Sequence, residues 1–173
     1  MINMGRRIMD NKQIEKLGLI VASLKEFSYG LDRLDEISLQ AEQGSATMRF
    51  YLNTLYEYVA RYFLLYKDSN TPLGGNLYSA LKDLGLEDYL DPIIQTLSQR
   101  IGTMDLQTIL LTFRNKMITH SEFSFEPLEK TIYSIVDLRQ PKNSQKYQQL
   151  IQKLFDQVKE LYINLATSYP EAV

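Results

Sequence analysis

Residues 144–168 read SQKYQQLIQKLFDQVKELYINLATS, and this stretch decides the fold. Its apolar residues recur at alternating intervals of four and three, namely at Tyr147, Ile151, Leu154, Val158, Leu161 and Leu165. This spacing places all six side chains on one face of a single helix. A narrow apolar stripe of this kind is typical of the packing seam in antiparallel bundles. The stretch therefore predicts a long helix that packs lengthwise against others.

The same period recurs nearer the N-terminus. Apolar residues from Ile14 to Leu34 keep the three-four spacing, with Gly30 as the one interruption, and a second stripe spans 46–67. Both patterns predict amphipathic helices. A short helix is predicted that Asn76 caps and Gly85 ends, and further helices are predicted at 87–99, 104–120 and 127–138. Loops are predicted at 68–75 and 121–126, and Pro141 is predicted to break the chain.

Strand signals and internal repeats are not found in the sequence. Several amphipathic helices joined by short loops predict an all-α fold, an up-and-down bundle of about four main helices with short additional helices. A length of 173 residues fits one domain. We expect a single helical-bundle domain at 11–173 and a flexible N-terminal tail at 1–10, which has no apolar stretch after its arginines.

The composition excludes several classes of function. The chain has no cysteine and one histidine, which excludes disulfides, thiolate chemistry and metal sites that need two imidazoles. No DxDxDG-type loop offers a carboxylate site, so no metal and no cofactor are expected. The net charge of −2 provides no global basic field for nucleic acid. Without a secretory signal or a spanning run, the prediction is a cytoplasmic protein with no membrane partner.

One arginine stands out on the predicted helix at 104–120. On a helical wheel, Leu110, Leu111, Met117 and Ile118 all fall within about 60° of Arg114. A guanidinium on an apolar face is costly unless it is paired, and arginine does not lose its charge by deprotonation. Two interpretations follow: an internal ion pair with a carboxylate of a neighbouring helix, or a groove in which Arg114 binds an anion.

Four polar residues follow Arg114 in this segment, and three of them are open to two interpretations. His120 lies about 120° round the wheel at the helix end, where a histidine is either a solvated or capping residue or a catalyst. Asn115 either makes a surface hydrogen bond or orients a phosphate. Lys116 is either a solvated charge or a phosphate contact, and Thr119 belongs to the local chemistry of a helix end.

The segment Arg114-Asn115-KMIT-His120 resembles the signature of the HEPN superfamily of small helical bundles. That signature is an arginine, commonly followed by Asn, Asp or His, and then a histidine after four to six intervening residues. Five residues intervene here. The upstream stretch 72–77, PLGGNL, also resembles the Leu-Gly loop often found in this superfamily.

The resemblance implies a HEPN-like bundle and a metal-independent endoribonuclease that serves as a toxin or defence effector. It implies a homodimer in which two copies of the motif meet in one cleft, an RNA substrate, and a protein antitoxin or regulator as partner. Arg114, His120 and Asn115 would be catalytic, and Lys116 and Thr119 would contact the substrate. Such chemistry leaves a 2′,3′-cyclic phosphate.

Two alternatives accompany this interpretation. One is a catalytically inactive HEPN-like dimer that binds a protein or a nucleotide. The other is a generic helical bundle in which Arg114 makes an internal ion pair. The chain departs from one branch of the superfamily, in which a tyrosine two residues after the histidine receives AMP, because Glu122 stands at that position. Control by that modification is therefore not expected.

Overall fold

A computed structural model describes residues 7–40, 77–114 and 136–173 of the chain. Its helices are α1 (Asn11–Gln40), α2 (Leu77–Lys82), α3 (Asp91–Leu97), α4 (Leu106–Arg114) and α5 (Pro141–Ser168); its strands are β1 (Arg100–Ile101) and β2 (Met104–Asp105); short 3₁₀ helices lie at Glu87–Leu90, Val136–Arg139 and Pro170–Ala172. The predicted all-α fold is confirmed. The predicted helix at 46–67 and both predicted loops lie outside the described residues, so the number of main helices stays a prediction.

The most extensive packing between two described elements is that of α1 against α5. The predicted seam of α5 is buried from Ile151 to Leu165, and Tyr147 at its start is half-buried. These side chains share one core with the inner face of α1. Lys159 forms an ion pair with Asp32, and a Cβ on Gly18 would lie 3.1 Å from the Ala172 carbonyl oxygen. Gly18, near the start of α1, thus lies beside Ala172, which follows α5, and Asp32, further along α1, lies beside Lys159 within α5. The two helices are therefore antiparallel.

Pro141 begins α5 rather than breaking the chain, which corrects the predicted start at Ser144. The helix starts three residues earlier because a proline fits the first helical position, where its missing N–H would have had no intrahelical partner. A proline also explains why the helix predicted at 87–99 is observed as a 3₁₀ turn, Glu87–Leu90, followed by α3. Asp91 donates to the Asp88 carbonyl in a 3₁₀ turn, and Pro92 has no N–H to continue an α-helix from there.

The start of α1 is fixed by a reciprocal capping box. The Asp10 carboxylate accepts from the Gln13 N–H at 2.8 Å, and the Gln13 side chain accepts from the Asp10 N–H at 3.1 Å. These two bonds satisfy donors that a helix end otherwise leaves unpaired. Residues 7–10, the described part of the predicted tail, also contact the helical body, because the Arg7 N–H donates to the hydroxyl of buried Tyr169.

Gly85 closes the end of α2, as predicted. The Leu86 N–H donates to the Leu81 carbonyl and the Gly85 N–H to the Lys82 carbonyl, which is the pairing of a Schellman motif. Gly85 has a φ of 66°, in the left-handed region. The Arg7 guanidinium covers this turn and donates to the Leu84 carbonyl at 3.0 Å. A Cβ on Gly85 would lie 1.5 Å from Arg7 Nη1.

Gly85→Ala is therefore expected to lower the free energy of unfolding through two separate effects. Left-handed backbone costs a residue with a Cβ about 1–2 kcal/mol, and the Cβ would also displace the Arg7 guanidinium. In an Arg7→Ala background only the backbone effect remains, so the penalty of Gly85→Ala should fall to about 1–2 kcal/mol, as measured by urea denaturation. An unchanged penalty in that background would show that Arg7 does not cover the turn.

Candidate functional site

The helix that carries the predicted site starts from a small hairpin. Arg100 pairs with Asp105 and Ile101 with Met104, around a two-residue turn whose first position, Gly102, has the positive φ of a type II′ turn. The helix predicted from Met104 is therefore wrong at its start, because Met104 and Asp105 form β2. The Asp105 carboxylate accepts from the Thr108 N–H at 2.7 Å and caps α4, which then begins at Leu106.

The buried face of α4 overlaps the predicted apolar arc but is not centred on Arg114, because Ile109, about 140° away on the wheel, is also fully buried. Leu106 and Leu110 are fully buried, and Leu111 packs against the core from its edge. Positions 107, 110 and 114 share one stripe of the helix, since they are spaced by three and four residues. Arg114 is the last described residue of α4, and its backbone is helical. Its position therefore continues a stripe whose two preceding members are buried.

Gln107 is a polar residue on this stripe that the sequence interpretation missed. Its side chain is 3% exposed, and its Nε2 has no hydrogen-bond partner among the residues that the structure describes. A buried amide donor without an acceptor is unfavourable by about 1–3 kcal/mol. The helical wheel used for Arg114 could have found it, because a residue seven positions earlier falls only about 20° away.

The structure leaves the predicted site residues themselves untested. Nothing about the Arg114 side chain is described, and Asn115, Lys116, Thr119 and His120 lie outside the described residues. Their proximity to one another therefore remains a prediction. Within the described ranges, no group of three or more His, Asp or Glu side chains is placed to hold a metal ion. None of the described helices combines the length and the apolarity needed to cross a membrane.

None of the carboxylates that the structure describes is buried, so none is a buried partner for an arginine. The buried polar side chains are Ser28, Thr96 and Gln107, and none of the described Asp or Glu side chains is among them. Asp105 is half-buried, and its carboxylate already caps α4. Among the described residues, a carboxylate that meets Arg114 would therefore be an exposed or half-buried one.

Thr96 on α3 is the second buried polar side chain with an unused hydrogen-bonding atom. It is fully buried, and its Oγ1 has no partner within the described parts of the chain. Thr96→Val keeps the shape and removes the desolvated hydroxyl, so it should raise the free energy of unfolding by about 1 kcal/mol.

Thr112→Val is the matched control for Thr96→Val, because the Thr112 hydroxyl donates to the Thr108 carbonyl at 2.8 Å. Removing that bond should give no gain in stability. Both variants can be measured by thermal and urea denaturation. If Thr96→Val instead destabilises the protein by 1 kcal/mol or more, on the scale of a lost hydrogen bond, the Thr96 hydroxyl has a partner.

Comparisons with known proteins do not place this chain in a family: no family model matches it, and no curated protein or solved structure is significantly similar to it.

Proposed function

We propose that this protein is a metal-independent endoribonuclease of HEPN type, a toxin or defence effector of the cytoplasm that cleaves RNA at a composite site in a homodimer cleft. Arg114, His120 and Asn115 are its catalytic residues, Lys116 and Thr119 contact the substrate, and a protein antitoxin or regulator controls it. The proposal combines the Arg114-Asn115-KMIT-His120 motif with the all-α fold and the stripe on α4.

The observation that supports this function best is the polar character of a buried stripe. Gln107 is an amide donor with no acceptor in the described structure, and position 114 follows two turns later with a second, charged donor. The two positions are about 10 Å apart along the helix axis, at 1.5 Å per residue. An anionic ligand such as a phosphodiester would satisfy the Arg114 guanidinium with two parallel hydrogen bonds.

The chemistry of the motif suits RNA cleavage by the adjacent hydroxyl. The His120 imidazole accepts the proton of the 2′-hydroxyl, whose oxygen then attacks the phosphorus atom. The bond to the 5′-oxygen breaks, and this oxygen takes up a proton, given by a histidine of the dimer cleft. The Arg114 guanidinium donates two parallel hydrogen bonds to the phosphate and stabilises the added charge of the transition state. The products are a 2′,3′-cyclic phosphate and a 5′-hydroxyl.

The test is cleavage of a labelled single-stranded RNA by the purified protein in EDTA. We expect cleavage to persist without divalent metal and to leave a 2′,3′-cyclic phosphate, identified by mass spectrometry. DNA of the same sequence should stay intact, because it has no 2′-hydroxyl. Light scattering should give the mass of a dimer. RNA binding without cleavage would favour the inactive binding module, and cleavage that requires Mg²⁺ would rule out this mechanism.

A further inference from the structure

The first half of α5 differs in charge from the rest of the chain. Residues 138–155 contain Arg139, Lys142, Lys146 and Lys153 and no Asp or Glu, whereas the whole chain has 21 acidic and 19 basic residues. Five glutamines lie between these cations, at 140, 145, 148, 149 and 152. All of these cationic and amide side chains are exposed. A strongly basic surface thus lies on a protein whose net charge is negative.

The three lysines among these cations form one stripe along the helix. Lys142, Lys146 and Lys153 are spaced by four and seven residues, so they share a face and span about 16 Å of the axis. None of the three makes a hydrogen bond or ion pair with a described residue. By contrast, Lys16 is paired with Asp83 and Lys159 with Asp32. The charges of this lysine stripe are therefore not neutralised within the described fold.

The surroundings of the lysine stripe indicate which kind of anion it suits. The large apolar side chains exposed on the described surface are Ile8, Leu19, Tyr29, Ile163 and Val173, and none lies within 138–155. Protein interfaces need buried apolar or aromatic anchors and are depleted in lysine. Helices that lie on membranes insert an apolar face, but the apolar face of α5 is buried in the core. Lysines and amides without apolar anchors are typical of contacts to phosphate and sugar.

We infer that the lysine stripe of α5 binds the phosphate backbone of single-stranded RNA through Lys142, Lys146 and Lys153. The contact is independent of sequence, and it positions the strand rather than reading its bases. In choosing RNA among polyanions, the inference rests on the proposed function. It adds a docking surface to a site whose own motif contributes one arginine and one lysine.

The experiment compares RNA binding by the parent and by the triple variant Lys142→Gln, Lys146→Gln, Lys153→Gln. Fluorescence anisotropy with a labelled 2′-O-methyl RNA prevents cleavage during the titration. Each neutralised phosphate contributes about 0.7 to the slope of log K against log salt for single strands, so the slope should fall by about 2 in the triple variant. If the plots of log K against log salt for the parent and the triple variant meet near 1 M salt, the affinity of the variant for RNA at 0.1 M salt should be about a hundredfold lower than that of the parent.

The matched control is Lys12→Gln, Lys25→Gln, Lys82→Gln, which removes three exposed lysines elsewhere and changes the net charge equally. We expect its salt slope to stay close to that of the parent. An equal fall in both triple variants, no fall in either, or no RNA binding by the parent would overturn the inference. So would stripe-dependent binding of phosphatidylserine vesicles or polyglutamate in place of RNA. Cleavage is measured separately: RNA bound through the stripe but never cut would contradict the nuclease and leave the docking surface supported.

Discussion

Arg114→Ala and His120→Ala are each expected to lower the rate of RNA cleavage by at least about a hundredfold. Loss of a general acid or base typically costs a factor of about 10²–10⁴, and loss of a donor to the transition-state phosphate costs about 10²–10³. Arg114→Lys should recover part of the rate, because it restores the charge without the two parallel hydrogen bonds. The measurement is single-turnover cleavage of a labelled RNA in EDTA.

Arg33→Ala is the control for the arginine variants, since Arg33 is an exposed arginine of α1 that pairs with Glu36 on the same helix. It changes the net charge equally and should cleave at the parental rate. Circular dichroism and light scattering would show whether each variant keeps its fold and its mass. If Arg114→Ala and His120→Ala both remain folded and cleave as fast as the parent, the proposed mechanism is wrong.

Phe155→Ala is expected to give the largest loss of stability among single substitutions on α5. Phe155 is 1% exposed beside the seam, and removing a buried phenyl ring costs about 3–5 kcal/mol through lost burial and the cavity it leaves. Ile163→Ala on the same helix is the matched control, because Ile163 is 55% exposed. It should change the free energy of unfolding by about 0.5 kcal/mol or less.

Urea denaturation at constant pH would measure both α5 variants. The midpoint should move strongly for Phe155→Ala and little for Ile163→Ala, with a similar slope for each. Equal losses from the two substitutions would contradict the buried face described for α5. A loss for Phe155→Ala that is confined to the slope would indicate a change in the compactness of the unfolded state instead.

Helical periodicity was sufficient to predict the faces of the long helices. The seam of α5 is buried from Ile151 to Leu165, and the face of α1 is buried from Leu17 to Leu31, because a sustained three-four spacing has one low-energy solution in water. Element boundaries were less predictable. Pro141 both ends a preceding segment and begins a helix, and a proline pattern alone does not decide between these roles.

Short polar signals explain the other differences. The Asp-x-x-Gln pattern at residues 10–13 is a capping box, and it would have placed the start of α1 correctly. The hairpin before α4 is harder to predict, since it has two residues in each strand and no alternation to detect. Its one signal is the Gly102-Thr103 pair, which is followed by Asp105 as a cap.

The candidate site was predictable at the level of one helix face and no further. Leu110 of the predicted arc is buried and Leu111 is half-buried, whereas Met117 and Ile118 lie outside the described residues. The convergence of Arg114 with His120 depends on a dimer, and a helical wheel of one chain carries no information about a second copy. The wheel gives the position of Gln107 on the same stripe, whereas the missing partner of its amide is visible only in the structure.

The contact between Arg7 and Tyr169 places the segment before α1 beside the turn that follows α5. The Arg7 N–H lies 3.3 Å from the Tyr169 hydroxyl, and α1 touches the last turn at Ala172. Residues 7 and 169 are 162 positions apart, so this hydrogen bond joins the segment before α1 to the turn after α5 only in the packed fold.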